Sequence, residues 1–179
     1  MNAPSARILV FAGEKFACIR IIGRANLTSS VPFKTLINEL RQAGYTYFVL
    51  DLSECLLMDS TFLGVLAGFG LKMSLGQEDP GARAIELLNP NPRIMELLEN
   101  LGVLHLFRIS QGPLAPPAGA ETRDYPCASG AREEVTRACI EAHQTLVQIN
   151  PENAAKFKEV TEFLAQDLKK LKGESSNKP

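Results

Sequence analysis

Three polar residues that could take part in chemistry, Asp59, Ser60 and Thr61, stand together between an apolar segment and an apolar helix pattern. A hydroxyl can act as a nucleophile or accept a phosphate, and an adjacent carboxylate can orient it or hold a kinase-bound magnesium ion. Other interpretations stay open at this point. Ser60 is also a good N-cap residue, a role worth about 1 kcal/mol. Asp59 could be an acid that favours the helix dipole, and Thr61 an unmodified first-turn residue.

Catalysis by this cluster would require a base, and no histidine lies near it in the sequence. The two histidines, His105 and His143, are both distant from Ser60 along the chain, so a Ser-His-Asp arrangement would have to recruit one from afar. The chain has no glycine-rich phosphate loop followed by Lys-Ser or Lys-Thr. The four cysteines have no metal-ligand spacing and are expected to be reduced thiols: Cys18, Cys55, Cys127 and Cys139. We therefore predict no catalytic residue, no metal site and no cofactor.

The composition is typical of a globular protein. The chain has 179 residues, 45% of them hydrophobic and 22% charged, with a net charge of -1, which suits one domain with an appendage. Because there is no basic excess, nucleic acid is not a predicted partner. No apolar stretch approaches the roughly 20 residues that span a bilayer, and the N-terminal residues lack a signal-peptide pattern. We expect a cytoplasmic protein without a membrane span.

Strands and helices alternate along the chain after an opening hairpin. Two apolar, β-branched segments flank Gly13-Glu14-Lys15, which predicts a β-hairpin with a short connection. A nearly continuous apolar run at residues 45–52 predicts a strand buried on both faces of a sheet. Further strands are predicted at residues 84–88 and 103–109, and helices at residues 28–43, 60–77 and 93–101. This alternation predicts an α/β fold, with helices packed on a mixed central sheet of about five strands.

The chain divides into four predicted segments. Residues 1–110 form the compact domain, and residues 111–130 are a linker rich in proline, glycine and alanine. Two amphipathic helical patterns at residues 131–172 predict a helical hairpin, and residues 173–179 are expected to be a disordered tail. The apolar stripe of the hairpin must be buried against the domain, within the hairpin, or against another chain. The last case would give a homodimer.

One motif resembles the signature of STAS domains, the anti-sigma-factor antagonists. It consists of Val49-Leu50-Asp51-Leu52-Ser53, a short gap, and Met58-Asp59-Ser60-Thr61-Phe62-Leu63-Gly64 before an apolar helix. The family pattern is an apolar residue, Asp-Leu-Ser, a gap, and then Met-Asp-Ser-Ser/Thr-Gly-Leu-Gly. The order of elements also fits the family over about residues 5–110. The C-terminal helical hairpin is not part of the family pattern.

Two positions depart from the STAS pattern. Asn26 stands where the family often has an aspartate after the second strand, so a negative charge is lost. Phe62 replaces the glycine that follows the serine pair. This large side chain either changes the choice of partner or is buried against the sheet.

The resemblance implies a regulatory binding protein with the STAS fold rather than an enzyme. Unphosphorylated antagonists bind a GHKL-type serine kinase that doubles as an anti-sigma factor, which frees the sigma factor. Phosphorylation of the helix-mouth serine dissociates the pair, and a phosphatase restores binding. Ser60 matches that serine, and the implied partner surface is Asn26, Asp59, Ser60, Thr61, Phe62 and Gly64. A second possibility is a constitutive STAS scaffold in a signalling or lipid-transport ABC complex, with Ser60 unphosphorylated.

Overall fold

A mixed β-sheet forms the centre of the computed structural model, which describes residues 6–75, 78, 82–114, 116, 119–128 and 130–176. Seven strands are present within these residues, in the spatial order β6-β5-β3-β2-β1-β7, with β4 paired to β2 beside this path. Their bounds are β1 Arg7–Ala12, β2 Ala17–Ala25, β3 Phe48–Asp51, β4 Cys55–Met58, β5 Ile85–Leu88, β6 Arg108–Ser110 and β7 Arg123–Tyr125.

Strand β2 organises the sheet because it pairs with three other strands. It is antiparallel to β1, as the predicted hairpin requires. Its first part runs parallel to β3, and its last part, beyond Gly23, runs parallel to β4. Strands β5 and β6 continue the parallel arrangement on one side, and β7 closes the other side antiparallel to β1. The ends of β2 and β4 therefore lie together at one edge of the sheet.

The predicted α/β fold with an opening hairpin and a C-terminal helical hairpin is confirmed, although the sheet has more strands than the predicted five. Strand β4 was not among the predicted strands, because four residues directly after another strand give little periodicity. Strand β7 lies in the predicted linker and has the sequence Arg-Asp-Tyr, which carries no apolar pattern. Backbone pairing and an exposed ion pair between Arg7 and Asp124 hold β7 at the sheet edge.

Five helices are described: α1 Leu27–Gln42, α2 Ser60–Leu75, α3 Pro92–Asn100, α4 Arg132–Ile149 and α5 Asn153–Ser176. The strand predicted at residues 103–109 begins instead as a short 3₁₀ helix, Leu104–Leu106. Helix α5 continues to Ser176, into the segment predicted to be a disordered tail. Residues 76–77, at the predicted end of α2, and residues 177–179 of the tail lie outside the described part of the chain.

The main core lies between the sheet and the helices. Ile19, Leu50 and Leu87 of the central strands are fully buried in one cluster with side chains of α1, α2 and α3. Leu146 of α4 belongs to the same cluster, so the C-terminal hairpin packs on the helical layer. The other face of the sheet has a smaller cluster, which includes Phe11. None of the described helices is long and apolar enough to cross a membrane.

Candidate functional site

Asp59 connects the start of α1 to the start of α2. Its backbone N–H donates to the carbonyl of Ala25, the last residue of β2. One carboxylate oxygen accepts the N–H of Phe62 at 2.8 Å, and the other accepts the N–H of Leu27 at 2.7 Å. Burial raises the pKa of the Asp59 carboxyl, and the hydrogen bonds from backbone N–H groups oppose this rise. Asp59, rather than Ser60, is therefore the N-cap of α2.

Ser60 is the first residue of α2, and its hydroxyl forms a hydrogen bond to a histidine of the C-terminal hairpin. Its Oγ lies 2.9 Å from Nε2 of His143, and Nδ1 of His143 lies 2.7 Å from the carbonyl oxygen of Cys139. Because a carbonyl only accepts, Nδ1 must carry the proton of the neutral ring. Nε2 is then the acceptor, and the Ser60 hydroxyl donates to it.

The sequence analysis found that any histidine at this cluster would have to come from afar in the chain, and the fold brings one there. His143 is the histidine that the fold brings to Ser60, while His105 lies in the 3₁₀ helix, where its carbonyl accepts from Arg83. A serine paired with a neutral imidazole can lose its proton to the ring, which makes the hydroxyl more nucleophilic. The N–H of Phe62, a natural donor to an oxyanion at this helix end, already donates to Asp59. The geometry therefore suits proton acceptance from Ser60 better than acyl transfer.

Helix α4 covers the side of α2 that follows Ser60. Oγ1 of Thr61 lies 3.2 Å from Sγ of Cys139. One turn further, a Cβ on Gly64 would stand 2.5 Å from the carbonyl oxygen of Ala142, a distance that real Cβ atoms do not reach. The close approach of the two helices therefore requires glycine at position 64.

The six predicted partner-binding residues separate into two groups. Asn26, Asp59 and Ser60 are each half-buried at the shared start of α1 and α2. Thr61 and Gly64 are buried beneath α4. Phe62 is fully buried, with its ring centroid 4.6 Å from that of Phe33. The second group offers no accessible side chain to a partner in this conformation. Phe62 follows the alternative of burial in the core.

Two exposed residues near the same end of the sheet were missed by the sequence analysis. Leu56 in β4 is 62% exposed, and Arg24 near the end of β2 is also exposed. Leu56 was overlooked because all four residues of β4 are apolar and their sequence does not indicate which side chain is exposed. We call Arg24, Asn26, Leu56, Asp59 and Ser60 the helix-mouth surface.

The Asp-Leu-Ser motif has a structural role at the end of β3. Asp51 is 2% exposed, and its carboxylate accepts from Nε of Arg20 at 2.7 Å and from Oγ of Ser53 at 2.6 Å. Burial alone would raise the pKa of Asp51, but the hydrogen bonds from Ser53 and Arg20 outweigh it and hold the pKa below its ordinary value. Within the described residues, no group of three or more histidine, cysteine or acidic side chains could hold a metal ion.

Two solved structures similar to this chain are described as anti-sigma factor antagonists. A Thermotoga maritima protein described as an anti-sigma factor antagonist is 20% identical, with a TM-score of 0.50, and the match covers 57% of this chain and 85% of that one. SpoIIAA, an anti-sigma factor antagonist in its unphosphorylated form, is 17% identical, with a TM-score of 0.46 over 62% of this chain and 90% of that one. No protein-family model and no curated protein sequence matches the chain. The similarity of structure confirms the fold that the resemblance to STAS domains predicted.

Proposed function

We propose that this protein is an anti-sigma-factor antagonist, a regulatory binding module without enzymatic activity of its own, that acts in the cytoplasm. In this proposal it binds a GHKL-type serine kinase that is also an anti-sigma factor. Phosphorylation of Ser60 ends the binding, and a phosphatase restores it. The observation that carries the proposal is the position of Ser60, a partly accessible hydroxyl at the first residue of α2 in a fold of the antagonist type.

The helix-mouth surface has the chemistry of a small docking site. Leu56 supplies an exposed apolar side chain, Arg24 a cation, and Asn26 a polar group that also caps α1. Such a combination suits a partner that buries one apolar anchor inside a polar rim. The neutral Ser60 hydroxyl can be covered by such a partner at little cost.

A phosphate on Ser60 would change the electrostatics of this surface without requiring the fold to change. It adds about -1.5 to -2 charges at neutral pH. The carboxylate of Asp59 stands beside the phosphate and already accepts hydrogen bonds from the N–H groups of Phe62 and Leu27. The helix N-terminus therefore stabilises the phosphate less than an open helix start would. A partner that buried the phosphate without a matching cation would lose several kcal/mol of binding free energy.

A capture experiment from the native cell tests the proposal. Tagged wild type, Ser60→Ala and Ser60→Asp are compared, and bound proteins are identified by mass spectrometry. We expect a GHKL-type kinase on wild type and Ser60→Ala, and its loss from Ser60→Asp. Ser74→Asp is the matched control, because Ser74 lies near the end of the same helix and its hydroxyl donates to the carbonyl of Gly70. Equal capture by all variants would contradict the switch.

A constitutive scaffold remains the second candidate, since α5 exposes apolar side chains that would suit a fixed assembly. Phe163 is 69% exposed, and Val160 lies on the same helix with much of its side chain accessible. In this case the protein would be a subunit of a signalling or lipid-transport ABC complex. The same captures decide between the two: an ABC ATPase retained by wild type and Ser60→Asp alike, and lost with Phe163→Asp, would favour the scaffold.

A further inference from the structure

The hydroxyl of Ser60 is joined to the C-terminal hairpin by a short chain of hydrogen bonds. Oγ of Ser60 lies 2.9 Å from Nε2 of His143, and Nδ1 of His143 lies 2.7 Å from the carbonyl oxygen of Cys139, one turn earlier in α4. The imidazole is 3% exposed, and its other side packs against the ring of Phe157 in α5, with centroids 4.6 Å apart. A single side chain thus connects the candidate phosphorylation site to both helices of the hairpin.

A phosphate at Ser60 needs a cation more than a phosphate at an open helix start would. Among the described residues, the titratable groups beside Ser60 and His143 are the Asp59 carboxyl, which caps the helix, and the Cys139 thiol, whose pKa is raised by burial. Both would repel a phosphate if charged. The Arg24 cation belongs to the same helix-mouth surface, near the end of β2. The imidazole of His143 is the group within hydrogen-bond distance of Oγ that can become positive. Because Ser60 is only half-buried, its solvent side leaves room for phosphate oxygens.

We propose that His143 accepts the Ser60 proton during phosphorylation and then pairs with the Ser60 phosphate, which fastens α4 over α2. The inference rests on the proposed function, because a kinase must supply the phosphate from a nucleoside triphosphate. The bond from Ser60 Oγ to phosphorus forms while the bond from that phosphorus to the leaving nucleoside diphosphate breaks, and the diphosphate keeps the electron pair. The hydroxyl proton moves to Nε2. The ring then carries a proton on both nitrogens and donates to the phosphate.

The consequence concerns the part of α2 that α4 covers. Thr61 and Gly64 lie beneath Cys139 and Ala142, so a partner reaching them must first move α4. A charge-assisted hydrogen bond between phosphate and imidazolium is about twice as strong as the neutral one it replaces. Phosphorylation would therefore act twice: it adds charge to the helix-mouth surface and makes the covered face of α2 harder to open.

The test uses the full chain with phosphoserine placed at position 60 during synthesis, so that no kinase is needed. Nitrogen NMR of the histidine ring at pH 7.5 reports which ring nitrogens carry protons, and the His105 signals serve as an internal reference. We expect one protonated nitrogen on His143 in the unphosphorylated chain and two in the phosphorylated chain. Hydrogen exchange of the α4 amides should become on the order of tenfold slower on phosphorylation.

The variant His143→Gln distinguishes the ion pair between phosphate and imidazolium from the packing of the side chain at position 143. Glutamine can form a hydrogen bond with Ser60 but cannot accept its proton. In this variant we expect phosphorylation to leave α4 exchange unchanged or to speed it. A neutral His143 ring in the phosphorylated wild type, or α4 exchange that does not slow, would overturn the proposal. Loss of kinase binding on phosphorylation is measured separately, so the switch at Ser60 can stand even where the pairing with His143 fails.

Discussion

At the scale of single residues, the site depends on two side chains far apart in sequence. Ser60 and His143 are separated by 83 positions and meet at 2.9 Å. The resemblance of the segment around Ser60 to the STAS signature was enough to identify a candidate phosphorylation site, since the matching residues lie close together in the sequence. His143 could not be assigned in the same way. It follows Cys139 by four residues, so helical spacing could place it on the buried side of α4. No sequence pattern shows which element packs against that side.

Replacing Ser60 by alanine should destabilise the protein more than an ordinary surface serine does. The change leaves Nε2 of His143 buried without its donor, which costs about 1–3 kcal/mol. Ser74→Ala removes a hydroxyl that donates to the Gly70 carbonyl of its own helix, and it should change stability by less than about 0.5 kcal/mol. Urea unfolding of the two variants and wild type measures the difference. Equal stability of both variants would show that the Ser60 hydrogen bond contributes nothing.

Asp51 should make the stability depend on pH. Its pKa is lowered in the folded state, so the carboxylate contributes stability above the unfolded pKa of about 3.9 and loses it as the pH falls through the folded pKa. Asp51→Asn should therefore cost about 1–3 kcal/mol at pH 7, and the gap to wild type should narrow below about pH 4. Asp124→Asn, in an exposed pair with Arg7, is the control and should change stability by less than about 1 kcal/mol. A gap that stays constant from pH 7 to pH 3 would contradict this assignment.

At the scale of elements, the contact between α2 and α4 distinguishes this chain from a lone domain of the antagonist fold. The sequence predicted both helices. It could not say that the two pack together, because amphipathic patterns identify a buried face but not its neighbour. Two glycines of α2 lie in different surroundings. Gly64 faces the main chain of α4, whereas Gly68 faces a methyl group of Thr145.

The two glycines give a matched pair of variants. Gly64→Ala places a methyl group against the carbonyl of Ala142 and should destabilise the protein by about 1–3 kcal/mol. Gly68→Ala meets Thr145 at 3.6 Å, an ordinary contact, and should be neutral or stabilising by up to about 1 kcal/mol, because alanine favours a helix. Thermal unfolding of both variants provides the measurement. A neutral Gly64→Ala would mean that α4 does not lie this close to α2.

At the scale of the whole molecule, the C-terminal hairpin packs into the core of the STAS fold and is not a separate unit. Leu146 of α4 is fully buried in the main core. The side-chain amide of Asn153 donates to the carbonyl of Leu101, just beyond the end of α3, at 3.0 Å. The alternation of strands and helices in the sequence predicted the α/β fold. The apolar residues repeating at helical spacing predicted the C-terminal hairpin. The sequence analysis missed β7, since polar edge strands owe their position to backbone pairing, and it left the partner of the hairpin open.

Leu146→Ala should therefore weaken the entire protein and not only the hairpin. Loss of a fully buried leucine from the shared core costs about 2–5 kcal/mol. We expect one cooperative transition, followed at the same midpoint by fluorescence of tyrosines and by circular dichroism. Phe163→Ala, on the exposed side of α5, is the control and should have little effect. Separate transitions for sheet and hairpin would show that the two parts fold independently.

The central claim is that phosphate on Ser60 decides whether the protein binds its kinase partner. The most direct measurement is calorimetric titration of the captured GHKL-type kinase with the full chain carrying serine or phosphoserine at position 60. Burial of an uncompensated phosphate predicts an affinity at least about 100-fold weaker for the phosphorylated chain. Equal dissociation constants for the two forms would contradict the account, and the scaffold interpretation would then be preferred.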